Sequence, residues 1–87
     1  MAQVIIPSPL RKHTDGLRDI RVDSATLHEV LQELVERYPA LKSLMDRPAL
    51  LSIFINGVML REKPEAWSAV SIDEHDEITL IIPIAGG

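Results

Sequence analysis

The clearest period in this sequence belongs to one helix, and a single helix restricts what the rest can build. Leu27, Val30, Leu31, Leu34, Val35 and Tyr38 fall on one face of a 3.6-residue repeat. Thr26 followed three residues later by Glu29 fits a capping box, in which each residue satisfies a free N–H of the other. Pro39 ends the helix, because the residue before a proline is pushed out of the helical region. Burying its aliphatic side chains at about 1.5–3 kcal/mol each makes this face the main contributor to the core. Glu29, Gln32, Glu33, Glu36 and Arg37 are expected in solvent. Leu41–Met45 is expected to add a further helical turn.

The remaining apolar runs read as strands. Gln3–Pro7 is a β-branched run closed by proline, and Leu17–Val22 alternates with Ile20 and Val22 on one face. Between them Ser8–Gly16 reads as a loop ending in an Asp15-Gly16 turn, so the two strands form a hairpin with a long connection. Leu50–Ile55 runs into Asn56-Gly57, a pair that accepts the positive φ of a tight hairpin turn, and Val58–Arg61 is the return strand. Lys63–Val70, which contains Pro64 and Trp67, reads as irregular. Ile78–Ile82 is the last strand, following an acidic turn at Asp73–Glu77. One helix covers only one face of such a sheet, which predicts an α+β, two-layer domain with a mixed sheet. If Ile53, Ile55, Leu80 and Ile82 face the helix, Phe54 and Ile81 point the other way and form a candidate partner surface.

At 87 residues the chain is one small domain, without room for separate cofactor and substrate domains. A chain this short buries only about 60–65% of its unfolded surface, so its core is small. Nine Lys and Arg against thirteen Asp and Glu give a net charge of −4, which argues against a nucleic-acid-binding face. There is no cysteine, hence no disulfide, thiol nucleophile or cysteine metal site. The opening MAQVIIPSPL has neither the basic leader nor the apolar core of a secretion signal, and no apolar run approaches a membrane span. A soluble cytoplasmic domain with no membrane partner is the expectation.

Catalytic signals inside the chain are weak. His13, His28 and His75 match no metal spacing, and His28 is expected at the surface beside the helix stripe. Asp73-Glu74-His75-Asp76-Glu77 lacks the glycine and ligand spacing of a calcium loop and reads as a solvated turn. Arg11, Lys12 and His13 form a short basic loop. There is neither a phosphate-binding glycine loop nor a nucleophile motif.

The end of the sequence differs. Pro83-Ile84-Ala85-Gly86-Gly87 follows the last strand and closes on two glycines. At ordinary glycine usage such a pair arises by chance roughly once in 200 chains. Residues 1–82 are therefore read as the domain and 83–87 as a flexible tail. Pro83 lacks the N–H that would extend strand pairing. Five residues from Pro83 span roughly 17 Å when extended. The final glycines, without a Cβ, let the backbone pass close to another protein's walls.

Taken with the element order, this ending resembles the ubiquitin-like β-grasp sulfur carriers of the MoaD/ThiS family. The resemblance covers essentially the whole chain. It rests on the opening strand, the helix start at Thr26-Leu27, the Glu36-Arg37-Tyr38-Pro39 exit, the Ile55-Asn56-Gly57 turn and the Ile82–Gly87 end. Ile6-Pro7-Ser8-Pro9-Leu10-Arg11-Lys12-His13-Thr14-Asp15-Gly16 is most similar to the branch that delivers sulfur for cysteine biosynthesis, with the molybdopterin synthase small subunit next. His75-Asp76 departs from the Gly-Asp that many members carry before the last strand.

The resemblance implies a carrier rather than an enzyme, with no cofactor bound. An activating enzyme related to those for ubiquitin uses ATP and Mg²⁺ to adenylate the carboxylate of Gly87. A sulfur donor turns the adenylate into a thiocarboxylate, and an acceptor enzyme, such as a cysteine synthase or a molybdopterin synthase large subunit, takes the sulfur. Ile84 and Ala85 would grip the partner's channel, Gly86 and Gly87 would thread it, and Phe54 and Ile81 would anchor the body. Two other uses of the same terminus stay open at this level: a modifier joined to target lysines, and a non-covalent ubiquitin-like binding module.

Overall fold

The computed structural model describes residues 1–47 and 51–82. Five strands form a mixed sheet: β1 (Ala2–Ile5), β2 (Asp19–Val22), β3 (Ser52–Ile55), β4 (Val58–Met59) and β5 (Glu77–Ile81). Their order across the sheet is β2-β1-β5-β3-β4, with β1 and β5 parallel and every other neighbouring pair antiparallel. The main helix, α1 (Leu27–Arg37), lies on one face, and a short α2 (Lys42–Met45) follows it. This is the two-layer α+β arrangement that one amphipathic helix allows.

Helix α1 is seated as its period requires. Leu27, Val30, Leu31 and Leu34 are buried with Val4, Val22, Ile53, Ile78 and Leu80 of the sheet, while Val35 and Tyr38 are half-buried at the margin. Thr26 caps the helix by accepting the Glu29 N–H at 3.3 Å. The return half of the box differs from expectation: the Glu29 carboxylate accepts from the Thr26 hydroxyl at 3.1 Å.

Glu33 is half-buried and corrects the expectation of a wholly solvated outer face, whereas Arg37 is exposed as expected. The Glu33 carboxylate accepts from the Asp23 N–H (3.2 Å) and the Ser24 hydroxyl (2.8 Å), and also pairs with the Arg37 guanidinium. Arg37 in turn donates to the Arg21 carbonyl at 2.8 Å. The pair therefore satisfies backbone groups along the β2 edge, where free N–H and C=O groups would otherwise invite another strand.

Two segments read as loop or irregular are more ordered than that. Ser8–His13 is a 3-10 helix, with proline in its first turn and Leu10 buried. The fully buried Thr14 donates its hydroxyl to the Leu17 carbonyl at 2.9 Å, and Asp15 and Gly16 turn the chain with φ of 56° and 80°. Leu17 stays exposed and β2 begins only at Asp19. Pro64–Ala69 is also a 3-10 helix; it buries Trp67, whose indole N–H donates to the Glu62 carbonyl at 3.1 Å. Pro39–Leu41 forms a third such turn ahead of α2.

Asn56-Gly57 makes the expected tight turn, with φ of 53° and 81°, but the return strand is only Val58–Met59. Asn56 also stitches the hairpin to the acidic turn. Its side-chain amide donates to Asp76 at 2.8 Å and accepts the Glu77 N–H at 2.9 Å. The second Asp76 oxygen accepts the Asp73 N–H at 2.8 Å. The turn needs no glycine at position 75, because among the described residues only Asp15 and Asn56 are non-glycine residues with positive φ.

The Asp73 N–H, then the Asn56 amide, hold the Asp76 carboxyl below the ordinary carboxylate range. A carboxylate whose folded pKa is depressed stabilises the fold above its unfolded value, and that contribution is lost as pH falls through the folded pKa. Asp76→Asn is therefore expected to lower neutral-pH stability and to flatten the loss of stability below about pH 4. Urea melts of both proteins across that range check this. Parallel pH curves would show that Asp76 contributes nothing.

Candidate functional site: the end of the central strand and the open face

β5 is the central strand, held by β1 on one side and β3 on the other. Its residues alternate: Ile78 and Leu80 are buried toward α1, while Glu77 and Ile81 lie on the opposite, uncovered face. Ile82 is half-buried against the core, as its place in the alternation requires. The chain thus reaches Pro83 from the middle of the sheet rather than from an edge. Pro83, Ile84, Ala85, Gly86 and Gly87, the residues to which the chemistry was assigned, lie outside the described residues.

The open face is built by register. Phe54 stands across from Thr79 on one side and Met59 on the other, while Ile81 stands across from Ser52. Phe54 and Ile81 are therefore diagonal neighbours on one face, within reach of large side chains. Ile81 is 43% exposed, whereas Phe54 is half-buried rather than freely exposed. Met59, 55% exposed, extends the patch and was not anticipated. The two-residue Asn-Gly loop carries the signal that finds it, since that loop forces Met59 opposite Phe54.

The helix layer carries a separate hollow of about 620 Å³ between α1, α2 and the 3-10 turn at Pro64, floored by Leu31, Val35 and Trp67. Its lining includes His28, which is exposed as expected, but no serine, threonine or cysteine. Among the described residues no cluster of three His, Asp or Glu side chains is placed to hold a metal ion, and no helix is long and apolar enough to cross a membrane. The Asp76 carboxylate of the acidic turn is committed to Asn56 and Asp73. What the described body offers is a surface and a strand end.

Comparison with known proteins supplies the family. The model of the ThiS family matches residues 4–87, through the terminal glycine pair. The sulfur carrier protein CysO of Mycobacterium tuberculosis, like that of Mycobacterium bovis, is 31% identical, with 97% of this chain and 96% of the relative covered. In the Amycolatopsis orientalis BexX/CysO complex, one chain shares the fold at a TM-score of 0.84 and 22% identity, over the whole of both chains. The small archaeal modifier protein 1 of Methanosarcina acetivorans has a TM-score of 0.79 at 26% identity, with 99% of this chain and 95% of that one covered. A ubiquitin-like β-grasp whose family match runs through Gly87 places the chain: it belongs to the ThiS family.

Proposed function

We propose that this protein is a sulfur carrier of the cysteine-biosynthesis type, with the reactive atom on the carboxyl group of Gly87. The observation that carries the reading is a 31% identical sulfur carrier protein aligned along 97% of the chain, with the family match continuing to the last glycine. The chemistry suits a chain without cysteine. A carboxylate is a poor electrophile until ATP converts it to a mixed anhydride with AMP, releasing pyrophosphate. Attack of a sulfide-level sulfur nucleophile on the acyl carbon forms the C–S bond as the C–O bond to AMP breaks; AMP leaves, the sulfur loses its proton, and a thiocarboxylate, a soft nucleophile, remains. ATP and Mg²⁺ belong to the activating enzyme, and the carrier supplies only the acyl terminus.

Two partners follow from this scheme: the activating enzyme and a sulfur-accepting enzyme, in keeping with a CysO neighbour seen in complex with BexX. In this scheme Pro83 has no N–H to offer a neighbouring strand, Ile84 and Ala85 supply apolar grip in the partner's channel, and Gly86 with Gly87 suits its narrowest part. The body docks through the open face, anchored by Phe54 and Ile81 and widened by Met59.

Intact-mass measurement of the protein recovered from its own cells tests the reading. A species heavier by the exchange of one oxygen for sulfur, confined to the C-terminal peptide, is expected. Its absence under sulfur-replete growth would reject the proposal. The likeness to an archaeal modifier favours a second use of the same adenylate, attachment of Gly87 to target lysines. Isopeptide-linked conjugates in those cells are its signature.

A further inference from the structure

The strand register makes the body electrically lopsided along β5. Asp73, Glu74, Asp76 and Glu77 cluster where β5 begins. The pairings of Gln3 with Glu77 and Ala2 with Val22 bring Asp23 to that end, and Glu29 sits in the first turn of α1, beside the bridge between Thr26 and Ser71. Arg21, across from Gln3, and Arg37, which donates to the Arg21 carbonyl and pairs with Glu33, are the arginines on that side.

The other end of β5 is basic. Arg11 is fastened there by its Nε donating to the Ile6 carbonyl at 3.1 Å, and the Ile6 N–H donates to the Arg18 carbonyl at 2.7 Å. Lys12 and Arg18 are exposed. On the far side, the Leu60 N–H donates to Ile53, which sets the exposed Arg61 level with Ser52, the partner of Ile81. Lys63, also exposed, follows. Asp15, Asp19 and Glu62 share this end, so cations prevail there by a modest margin in a chain whose net charge is −4. The five residues of β5 separate its two ends by roughly 13 Å. That exceeds the screening length of about 8 Å at physiological salt, so a partner meets each end separately.

We infer that the basic residues flanking the end of β5 form a docking collar for partner enzymes whose channel mouth is rimmed with Asp and Glu. The inference rests on the carrier reading above and names the partner surface for that same terminus. Opposite charge around the entry point steers encounter so that the tail, rather than the acidic end, arrives first. Because the collar residues are exposed, they act on the rate of encounter more than on the stability of the finished complex.

The test is the initial rate of sulfur loading at Gly87, read by intact mass, in an ATP- and Mg²⁺-supplemented extract of the protein's own cells. Lys12→Glu, Arg18→Glu and Arg61→Glu combined change three side chains that make no hydrogen bond or ion pair of their own among the described residues. This variant is expected to load at least about tenfold more slowly at low salt, with a weakened salt dependence. Asp23→Lys and Glu74→Lys combined, a charge reversal at the acidic end, are expected to load at the wild-type rate or faster. Thermal melts establish that both variants fold. A wild-type rate in the folded basic-end variant, or an equal loss in the acidic-end variant, overturns the collar while leaving the carrier reading intact. Failure of the wild type to load overturns the carrier reading itself.

Discussion

Extending the chain by one alanine after Gly87 is expected to cut sulfur loading by at least about a hundredfold, because a displacement of even 1 Å at a reacting centre can cost that much. The extra residue moves the carboxylate by about 3.3–3.6 Å and puts a methyl group beside it, where a glycine had none. The body should not register the change: stability should stay within about 0.5 kcal/mol, as for surface changes away from any packed feature. Initial loading rates by intact mass, alongside urea melts, separate the two effects. Normal loading of the extended chain would show that the acyl terminus is not the reactive group, whatever the likeness to sulfur carriers.

The second large effect is on folding. Leu34 is completely buried in α1, with Val4, Ile78 and Leu80, also completely buried, on the sheet it covers. Leu34→Ala removes its packing and leaves a cavity, a loss of about 2–5 kcal/mol. A chain of this length has only roughly 4–13 kcal/mol of stability in all. The melting temperature should therefore fall by about 10–20 °C or more, and the protein at 37 °C should be partly unfolded. Loading should fall in proportion to the folded fraction and recover on cooling, unlike the alanine extension, whose defect is indifferent to temperature. A loss below about 1 kcal/mol would show that α1 does not hold the layers together.

The two predictions use parts of the molecule that differ in how readable they are from sequence. Helix α1 was legible because its apolar spacing, its Thr26 cap and its Pro39 stop all agree. The Asn56-Gly57 hairpin was legible because few residues accept positive φ in succession. The 3-10 segments at Ser8–His13 and Pro64–Ala69 were not: each is short, begins with proline and buries one large side chain, so neither shows a period. Strands β1 to β4 also came out shorter than their apolar runs, while β5 keeps its five residues one position earlier, since alternation marks burial rather than hydrogen bonding. Glu33 was placed in solvent because nothing in helical spacing shows that the loop at Asp23 and Ser24 folds back to it.

The site divides in the same way. The terminal Gly-Gly was visible as letters, and the shared face of Phe54 and Ile81 followed from alternation within each strand. Met59's place was implicit in the Asn56-Gly57 loop, whereas the basic end was hidden because it depends on which strand neighbours which. Arg11, Arg18 and Arg61 are scattered through the sequence and share one end only after β1, β3 and β4 are in register around β5.

The parallel pairing of β1 with β5 also governs when the molecule exists at all. Ile5 meets Thr79 across nearly the full sequence, and closing a loop of that length costs roughly 4 kcal/mol of chain entropy before any contact repays it. Such non-local pairing makes folding slow for so small a domain. A nascent chain still missing residues 77–81 has no central strand, so the β1–β2 pair and the β3–β4 hairpin have nothing to join them while the ribosome finishes. Synthesis and maturation are thereby ordered in time: the sheet closes only once its last strand has emerged.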